Sequence, residues 1–412
     1  MKRVVVTGMG IVSCLGNDTE TVLESLREGR SGIKTKQEYI DMGLRSHIAG
    51  SVDIDAAALI DRRHYRFMSD AAAFAYIAMQ QAVDDSGLTE DQIINPRTGL
   101  IAGSGGASTS DVVEVADILR TKGVRRIGPY RVPKTMSSTV SACLATPFQI
   151  KGVNYSIASA CATSSHCIGN AAEMIQWGKQ DIMFAGGCEA PVADATVAGF
   201  GRMKALSTRN DDPEGASRPF DADRDGFVVA EGAGTLVLEE LEHARRRGAR
   251  IYAEVCGYGA TADGHHITTP SPGGMGAVRA ARRALHKAGL EPSDIDLVSA
   301  HATATGEGDP TELMGINTLV GEHAAEVSVT ATKSSIGHTL GAAGAVAAVA
   351  TIKALDDGVV PPTLNLHQPD ERAGKLDLTP LQAKERDLDV ALVNAFGFGG
   401  QNSAVVLQIW NG

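Results

Sequence analysis

The sequence predicts an α/β protein built from two related halves. Short runs of β-branched and apolar residues alternate with longer segments of helical pattern, as in layered α/β folds. The 412 residues, 43% hydrophobic and 21% charged, supply a sizeable core and exclude disorder for most of the chain. Two segments, 155–161 and 329–338, each lead from an apolar run into a helix rich in small residues. That self-similarity predicts a duplication.

Runs rich in Val, Ile and other apolar residues are predicted as strands. They span residues 3–7, 98–102, 181–185, 235–239, 251–258, 296–300, 327–330, 390–394 and 404–409. Longer segments with helical spacing are predicted as helices. They span residues 69–86, 162–178, 274–288, 309–319 and 339–355. Several predicted helices end at a glycine, where a left-handed cap is expected, at Gly87, Gly178, Gly289 and Gly358.

The predicted duplication divides the chain near residue 250, into halves 1–250 and 251–412. No Pro- or Ser-rich linker stands at that boundary, so we expect one integrated double domain. The helices that follow Cys161 and His338 are rich in Ala, Gly and Ser. Small residues allow two backbones to approach closely in a middle layer, although a coiled coil or a helix–helix dimer would use them too.

Charge and cysteine content limit the possible partners. The formal net charge is 38 − 49 = −11, which disfavours nucleic acid and anionic membranes as bulk partners. The cysteines show no Cys-x-x-Cys spacing, so we expect reduced thiols in a cytoplasm and no zinc site. The apolar run at the N terminus is too short for a signal peptide. The charge-free stretch 334–352 is rich in Ala and Gly and predicts a buried helix, not a membrane span.

Cys161 is the first candidate nucleophile. It stands in SACATSS, 159–165, at the predicted start of a helix. Unpaired amides at a helix N terminus stabilise a thiolate and would lower the pKa of the thiol. A cysteine taken at random is more often buried and structural, and we predict that role for Cys143, Cys188 and Cys256.

Two histidines stand at comparable places. His301 follows the predicted strand 296–300, at the strand end where α/β folds carry reactive groups, and His338 precedes a predicted helix. A single histidine is more often an ordinary residue. One cysteine and two histidines in such positions indicate nucleophilic catalysis supported by imidazole. Lys333 and Glu312 form a possible charge pair beside them.

Two further features each have two interpretations. The segment NAFGFGG, 394–400, is either a β-hairpin turn with packed aromatic residues or a loop whose N–H groups point into a site. A cluster of basic residues is either a set of solvated faces or a docking surface for an acidic protein. The cluster comprises Arg62, Arg63, Arg66, Arg120, Lys122, Arg125, Arg126, Arg131 and Lys134.

Six ordered segments together resemble the β-ketoacyl–acyl carrier protein synthases, the condensing enzymes of fatty acid synthesis. They are VTGMG at 6–10, 159–165, RPFD at 218–221 with DGF at 225–227, 299–306, 333–338 and 394–400. The resemblance covers essentially the whole chain. It implies a thiolase-like fold, a duplicated αβαβα arrangement with two central small-residue helices, and usually a homodimer. It implies no metal or organic cofactor, because the substrates are carried on the phosphopantetheine of acyl carrier protein.

The resemblance also implies a reaction. Cys161 would take the acyl group from acyl-carrier, and malonyl-carrier would lose carbon dioxide and attack the acyl-cysteine as a carbanion. His301 and His338 would donate hydrogen bonds to the malonyl thioester oxygen. The backbone amides of Cys161 and Phe398 would form the oxyanion hole. Lys333, paired with Glu312, would maintain the histidine geometry.

The same resemblance implies the roles of residues around the substrate. Thr303 and Thr305 would contact the pantetheine arm, and Phe398 would gate an acyl pocket that includes Phe200 and Met203. The carrier would dock on Arg62, Arg63, Arg66, Arg125 and Arg126.

This chain departs from the usual pattern of the family at two positions. Ala302 stands where most members carry Gly, and Ala304 where many carry Ser. The segment 154–167 resembles type I synthases, whereas the segment from 229 onward resembles type II. The subtype and the preferred acyl chain length therefore stay open.

Three other functions compete with condensation. A chain-length-factor-like partner would typically lack the nucleophile, which is present here as Cys161. A thiolase needs a second cysteine near the C terminus, and none follows Cys256. A Cys-His hydrolase would pass the acyl group to water and form no carbon–carbon bond.

Overall fold

The computed structural model describes residues 1–412, apart from the side chain of Asp194. The strands are β1 (Val4–Ser13), β2 (Lys34–Thr35), β3 (Ile48–Ala49), β4 (Thr98–Gly103), β5 (Asn154–Tyr155), β6 (Ile182–Glu189), β7 (Gly232–Glu240), β8 (Ala253–Ala262), β9 (Leu297–Ser299), β10 (Ser328–Thr330), β11 (Val359–Val360), β12 (Lys384–Glu385), β13 (Val390–Gly397) and β14 (Gln401–Ile409).

Helices connect these strands. They are α1 (Thr19–Arg27), α2 (Gln37–Asp41), α3 (Ala56–Leu59), α4 (Arg62–Tyr65), α5 (Asp70–Ser86), α6 (Glu90–Ile93), α7 (Thr109–Lys122), α8 (Arg131–Thr135), α9 (Thr139–Ala145), α10 (Thr163–Gln176), α11 (Asp194–Arg202), α12 (Leu241–Arg246), α13 (Met275–Ala288), α14 (Gly308–Val320), α15 (Lys333–Ile336) and α16 (Ala343–Asp357). Among the described residues, no helix combines the length and the apolar character needed to cross a bilayer.

The main sheet shows the same strand order twice. Its order is β10-β9-β13-β14-β8-β1-β7-β6-β4-β5. The two sets of five meet where β1 pairs with β8, through Val5↔Glu254 and Val6↔Ala253. In each set the three outer strands are parallel, and the remaining two run antiparallel to their neighbours. By position, β4 therefore corresponds to β9, and β5 corresponds to β10.

Two small-residue helices, α10 and α16, pack against each other and contact strands of both sets. Glycine allows this contact, because a Cβ added at Gly344 would lie 2.7 Å from the amide nitrogen of Ser165. On the outer faces, α5 packs on β1 and β7, and α13 packs on β8 and β14. The predicted strands and helices are all present. Of the charge-free stretch, residues 343–352 lie in the buried helix α16, whereas residues 334–336 belong to the short helix α15.

The first strand is longer than the sequence predicts. The prediction ended it at residue 7, before two glycines, but β1 continues to Ser13. Gly8 and Gly10 lie inside the strand because α5 crosses directly above them. A Cβ at Gly10 would lie 2.0 Å from the carbonyl oxygen of Ala78, so these glycines permit helix–sheet packing.

Candidate active site

One cavity brings together three candidate residues from separate parts of the chain. Cys161 precedes α10, His301 follows β9, and His338 follows α15. All three line a cavity of about 430 Å³. The cavity lies where the ends of both sets of strands meet the two central helices, so neither half of the chain forms it alone.

A tight turn presents Cys161 to this cavity. Ala160 has a left-handed backbone with φ 49°. The Thr163 hydroxyl accepts a hydrogen bond from the amide of Ser159 (2.8 Å) and donates one to the carbonyl of Ala160 (2.8 Å). A Cβ at Gly397 would lie 2.5 Å from the Ser159 carbonyl oxygen, so that glycine lets β13 approach the turn. Cys161 itself stands just before the helix, whose first residue is Thr163.

The thiol is directly paired with an imidazole. The Sγ atom of Cys161 lies 3.1 Å from Nε2 of His338. Burial raises the pKa of the Cys161 thiol to about 12, while the Lys333 cation opposes this rise and Glu189 adds to it. The expected lowering of this pKa by the helix terminus is therefore wrong for this structure, because desolvation outweighs the helix amides. The adjacent imidazole of His338 is placed to accept the thiol proton.

Both histidines are neutral in this environment. Burial is the main reason that the pKa of each lies well below its ordinary value, and the nearby Lys333 cation strengthens the effect. The two rings are perpendicular, with centroids 5.4 Å apart. Within the described part of the chain, Nδ1 of His301 and Nδ1 of His338 have no hydrogen-bond partner. Neutral imidazoles of this kind can accept a proton or donate a hydrogen bond.

Lys333 lies buried behind the histidines. Burial lowers its pKa to about 8, and the charges of Glu312, Cys161 and Asp309 oppose that change. The predicted charge pair of Lys333 with Glu312 is not a direct ion pair among the described residues, but each charge shifts the pKa of the other. The Glu312 carboxylate instead accepts the backbone amides of His301 (2.8 Å) and Ala302 (2.7 Å). Lys333 and Glu312 therefore interact only through space.

Sequence reasoning missed a second carboxylate on the same helix. Asp309, in the first turn of α14, accepts the amides of Ala304 (3.0 Å) and Phe220 (2.8 Å). Burial raises its pKa to about 7. Asp309 and Glu312 lie on neighbouring positions of one helix face, three residues apart, and both bind the loop that carries His301. That spacing next to a candidate histidine was the available signal.

The same loop contains strained backbone. Ala302 has φ 31° and Ala304 has φ 66°, in the region that favours glycine. These are the two positions at which the resemblance described above leads us to expect Gly and Ser. The carboxylates of Glu312 and Asp309 accept hydrogen bonds from the amides of these two residues. These hydrogen bonds stabilise the left-handed backbone that alanine by itself disfavours.

The proposed substrate residues all line the cavity. Thr303, Thr305, Phe398, Phe200 and Met203 belong to its wall. The hydroxyl oxygens of Thr303 and Thr305 lie 3.1 Å apart. The ring centroids of Phe200 and Phe398 are separated by 6.5 Å.

The glycine-rich segment forms the predicted hairpin turn and borders the cavity, while the orientation of its N–H groups into the site stays a prediction. Its residues 398–400 connect β13 to β14 as a hairpin turn, and Phe398 and Gly400 also face the cavity. Phe398 is 37% exposed, so its ring stands at the boundary between the cavity and solvent.

The five proposed docking residues are exposed and lie away from the cavity. The Arg66 guanidinium stacks 5.1 Å from the ring centroid of Tyr130. Because Tyr130 follows the short turn Val124–Arg126, this contact brings α4 close to that turn. Arg63 forms an ion pair with Asp61 and lowers the pKa of Asp61 to about 2.

Two other members of the basic cluster have a different role. Arg131 binds the carboxylates of Asp111 and Glu114, and Lys134 lies 3.8 Å from Asp111. These residues stabilise the packing of α7 against α8, so the exposed basic surface is smaller than the sequence suggests.

Comparison with known proteins identifies the family. The model of the β-ketoacyl synthase N-terminal domain matches residues 1–244, and the model of the C-terminal domain matches residues 252–367. The chain belongs to the β-ketoacyl synthase family. It is 51% identical over 411 residues to 3-oxoacyl-[acyl-carrier-protein] synthase 1 of Escherichia coli K12, covering 99% of each chain. It is 43% identical to synthase 2 of Rhizobium meliloti, covering all of both chains.

Solved structures agree with this assignment. A β-ketoacyl synthase from Burkholderia phymatum superposes with a TM-score of 0.93 at 35% identity, covering all of both chains. The ketosynthase AntDE, solved with the acyl carrier protein AntF of a type II polyketide synthase, has a TM-score of 0.90 at 31% identity and covers 99% of this chain and 100% of that one. The predicted family and the predicted thiolase-like fold are confirmed.

Proposed function

We propose that this chain joins an acyl group to a malonyl-derived unit by decarboxylative condensation, with Cys161 as the acyl carrier residue. The observation that supports this most directly is the 3.1 Å contact between the Cys161 thiol and a neutral His338. His301 lies beside that pair in a cavity large enough for a thioester. A nucleophile with an adjacent base and a second neutral imidazole suits thioester exchange followed by enolate chemistry.

In the first step, Cys161 attacks the carbonyl carbon of an acyl thioester. The thiol proton passes to Nε2 of His338 as the new Sγ–C bond forms. The bond between the acyl carbon and the pantetheine sulfur then breaks, and the carrier leaves as a thiol that takes up the proton. A neutral His338 is the required state, because a protonated imidazole could not accept the proton. The backbone amides of Cys161 and Phe398 are proposed to stabilise the oxyanion.

In the second step, a malonyl thioester loses carbon dioxide. The electron pair of the broken C–C bond becomes an enolate, and His301 and His338 donate hydrogen bonds to its oxygen. The enolate carbon attacks the acyl carbon on Cys161, and the C–Sγ bond breaks to give the ketoacyl product and a thiolate. The Lys333 cation stabilises that thiolate through space, since it lowers the pKa of the Cys161 thiol. Glu312 maintains the position of His301 through the backbone.

The substrates are proposed to arrive on an acidic acyl carrier protein. The related ketosynthase AntDE was solved with its acyl carrier protein, and this chain exposes basic residues on and around α4 and the turn Val124–Arg126. On this proposal Thr303 and Thr305 contact the pantetheine arm, while Phe200, Met203 and Phe398 bound the acyl pocket. We also propose a homodimer, and a duplicated chain with halves 1–250 and 251–412.

Intact-mass measurement tests the proposed function. The protein is mixed with acyl-carrier alone, next to a Cys161→Ala control. We expect a mass increase equal to the acyl group, absent from the control, that malonyl-carrier discharges with formation of a ketoacyl product. A folded protein that gains no mass would indicate a non-catalytic partner subunit. An adduct that is lost to water without a ketoacyl product would indicate a hydrolase.

A further inference from the structure

A buried carboxylate that the proposed reaction does not use binds the loop that lies against the Cys161 turn. Glu189, the last residue of β6, is 2% exposed. Among the described residues it has no cationic partner, and its four hydrogen bonds come from neutral groups. Burial raises its pKa, and its charge in turn raises the pKa of Cys161.

Those hydrogen bonds join two loops that are distant in sequence. Oε2 accepts the amide of Gly105 (2.6 Å), from the loop after β4, and the amide of Gly341 (3.0 Å), from the turn after His338. Oε1 accepts the Ser104 hydroxyl (2.5 Å) and the amide of Gly106 (3.1 Å). A single oxygen atom therefore connects a loop of the first half to a turn of the second.

Both connected segments adjoin a reacting residue through strained backbone. Leu340, between His338 and Gly341, has φ 46°, and Ala160, directly before Cys161, has φ 49°. A Cβ at Gly105 would lie 3.1 Å from the Ala160 carbonyl oxygen, so this loop lies against the Cys161 turn. Left-handed backbone at a non-glycine residue persists only where its surroundings determine it.

We infer that Glu189 is a positioning residue, whose Oε2 atom sets the placement of His338 relative to Cys161 by connecting Gly341 to Gly105. The inference rests on the proposed function. Glycine is required at the junction, because a Cβ at Gly341 would lie 2.4 Å from the Gly105 nitrogen and 2.5 Å from Oε2. Glu189 does not contact the reacting atoms, and it acts through the two loops.

Two substitutions of Glu189 distinguish the effect of its hydrogen bonds to Gly105 and Gly341, the Gly105–Gly341 bridge, from the effect of its charge. In Glu189→Gln, the amide oxygen can occupy the Oε2 position and keep the Gly105–Gly341 bridge, while the NH₂ group faces the Ser104 hydroxyl and leaves only Gly106 unsatisfied. In Glu189→Asp, the charge remains but the carboxylate withdraws by about 1.5 Å, one C–C bond, so it cannot reach both amides. We expect kcat to fall about 10²-fold in Glu189→Asp and less than tenfold in Glu189→Gln, about one hydrogen bond, with KM for malonyl-carrier unchanged.

The reactivity of Cys161 towards iodoacetamide, followed by intact mass across pH, gives a second readout. Glu189→Gln removes a negative charge near the thiol and should move the alkylation profile to lower pH. Glu189→Asp keeps the charge but loosens the His338 contact and should move the profile to higher pH. A general loss of stability would not produce opposite shifts. The matched control is Glu239→Asp, at a buried carboxylate that binds Thr7 and Arg247 far from the cavity. It should lower Tm and leave the alkylation profile unchanged.

Unchanged kcat and an unchanged alkylation profile in Glu189→Asp would overturn the inference, as would an equal loss of kcat per folded molecule in Glu239→Asp. If Glu189→Asp does not fold, Gly341→Ala replaces it, since the added Cβ separates the same two loops and should lower kcat similarly. A wild-type protein that shows no condensation would end the proposed function. In that case opposite shifts of the alkylation profile in Glu189→Gln and Glu189→Asp would still support the positioning role, and their absence would contradict it.

Discussion

The loop after β4 and the loop after β9 occupy matching places in the two halves, yet only one carries a reacting group. After β9 stands His301, and after β4 stand Ser104 and two glycines. Both loops donate backbone amides to a buried carboxylate: Glu312 binds His301 and Ala302, and Glu189 binds Gly105 and Gly106. A buried carboxylate therefore binds the backbone amides of each loop, and the two loops differ in their side chains.

The two halves contribute different residues to the cavity. The first half supplies Cys161 and the wall residues Phe200, Met203 and Phe227. The second half supplies both histidines and the buried Lys333. Because the site needs contributions from both, neither half alone is expected to carry out the reaction.

Removing the side chain that distinguishes the two loops should have the largest effect. We expect His301→Ala to lower the rate of malonyl decarboxylation by about 10²–10³-fold, the usual loss for one donor to a developing oxyanion. Acylation of Cys161 should persist, because His338 is the imidazole that contacts the thiol. Ser104→Ala, in the matching loop, removes one hydrogen bond and should lower the free energy of unfolding by about 1 kcal/mol. Single-turnover kinetics of both variants would show equal losses if the two loops were equivalent.

The Lys333 cation, in the second half, gives the reaction a pH dependence. Its pKa of about 8 means that the cation is present below pH 8 and lost as the pH rises through that value. The condensation rate at saturating substrate should therefore fall about tenfold per pH unit on the alkaline side. Lys333→Met should be slow at all pH values and lack this limb. A limb that survives in Lys333→Met would assign it to another group.

The exposed basic residues provide a test on the surface of the first half. We expect Arg62→Glu combined with Arg66→Glu to weaken binding of acyl-carrier by about tenfold or more, with kcat unchanged, because like charges then face an acidic partner. The effect should diminish with salt, as screening requires. Arg282→Glu, on the exposed face of α13, is the control, since it changes the net charge at a distant site. Unchanged KM for acyl-carrier in the double variant would show that α4 is not part of the docking surface.

The smallest expected effect concerns the strained loop after β9. Ala304→Gly should raise the free energy of unfolding by less than about 1 kcal/mol, because relief of left-handed strain is partly offset by the added freedom of the unfolded chain. Ala57→Gly, at an exposed helical position in α3, should instead lower it by about 1 kcal/mol. Urea denaturation compares the two. Destabilisation by both substitutions would show that the loop tolerates alanine without strain.

Periodicity and composition were sufficient to predict the main strands, five of the long helices and, among them, the two central small-residue helices, because those signals are local and repeat along the chain. The 14-residue helix α7 (Thr109–Lys122) was not predicted. The strand-end and helix-start positions of Cys161, His301 and His338 were likewise visible in sequence. The first strand was predicted too short, since a glycine that ends a strand and a glycine that admits a helix look alike until the helix is in place.

Sequence alone determined which residue types could perform the chemistry: one thiol, two imidazoles and a lysine near predicted strand and helix ends. Their electrostatic states and their partners depend on the folded chain. The helix terminus predicted a lowered pKa for Cys161, but burial raises it. Glu312 binds backbone amides, and it interacts with Lys333 only through space. The spacing of Asp309 from Glu312 was the one sequence signal for Asp309, and Glu189 had none. Desolvation and contacts between distant segments depend on the folded chain as a whole, and no short window of sequence contains them.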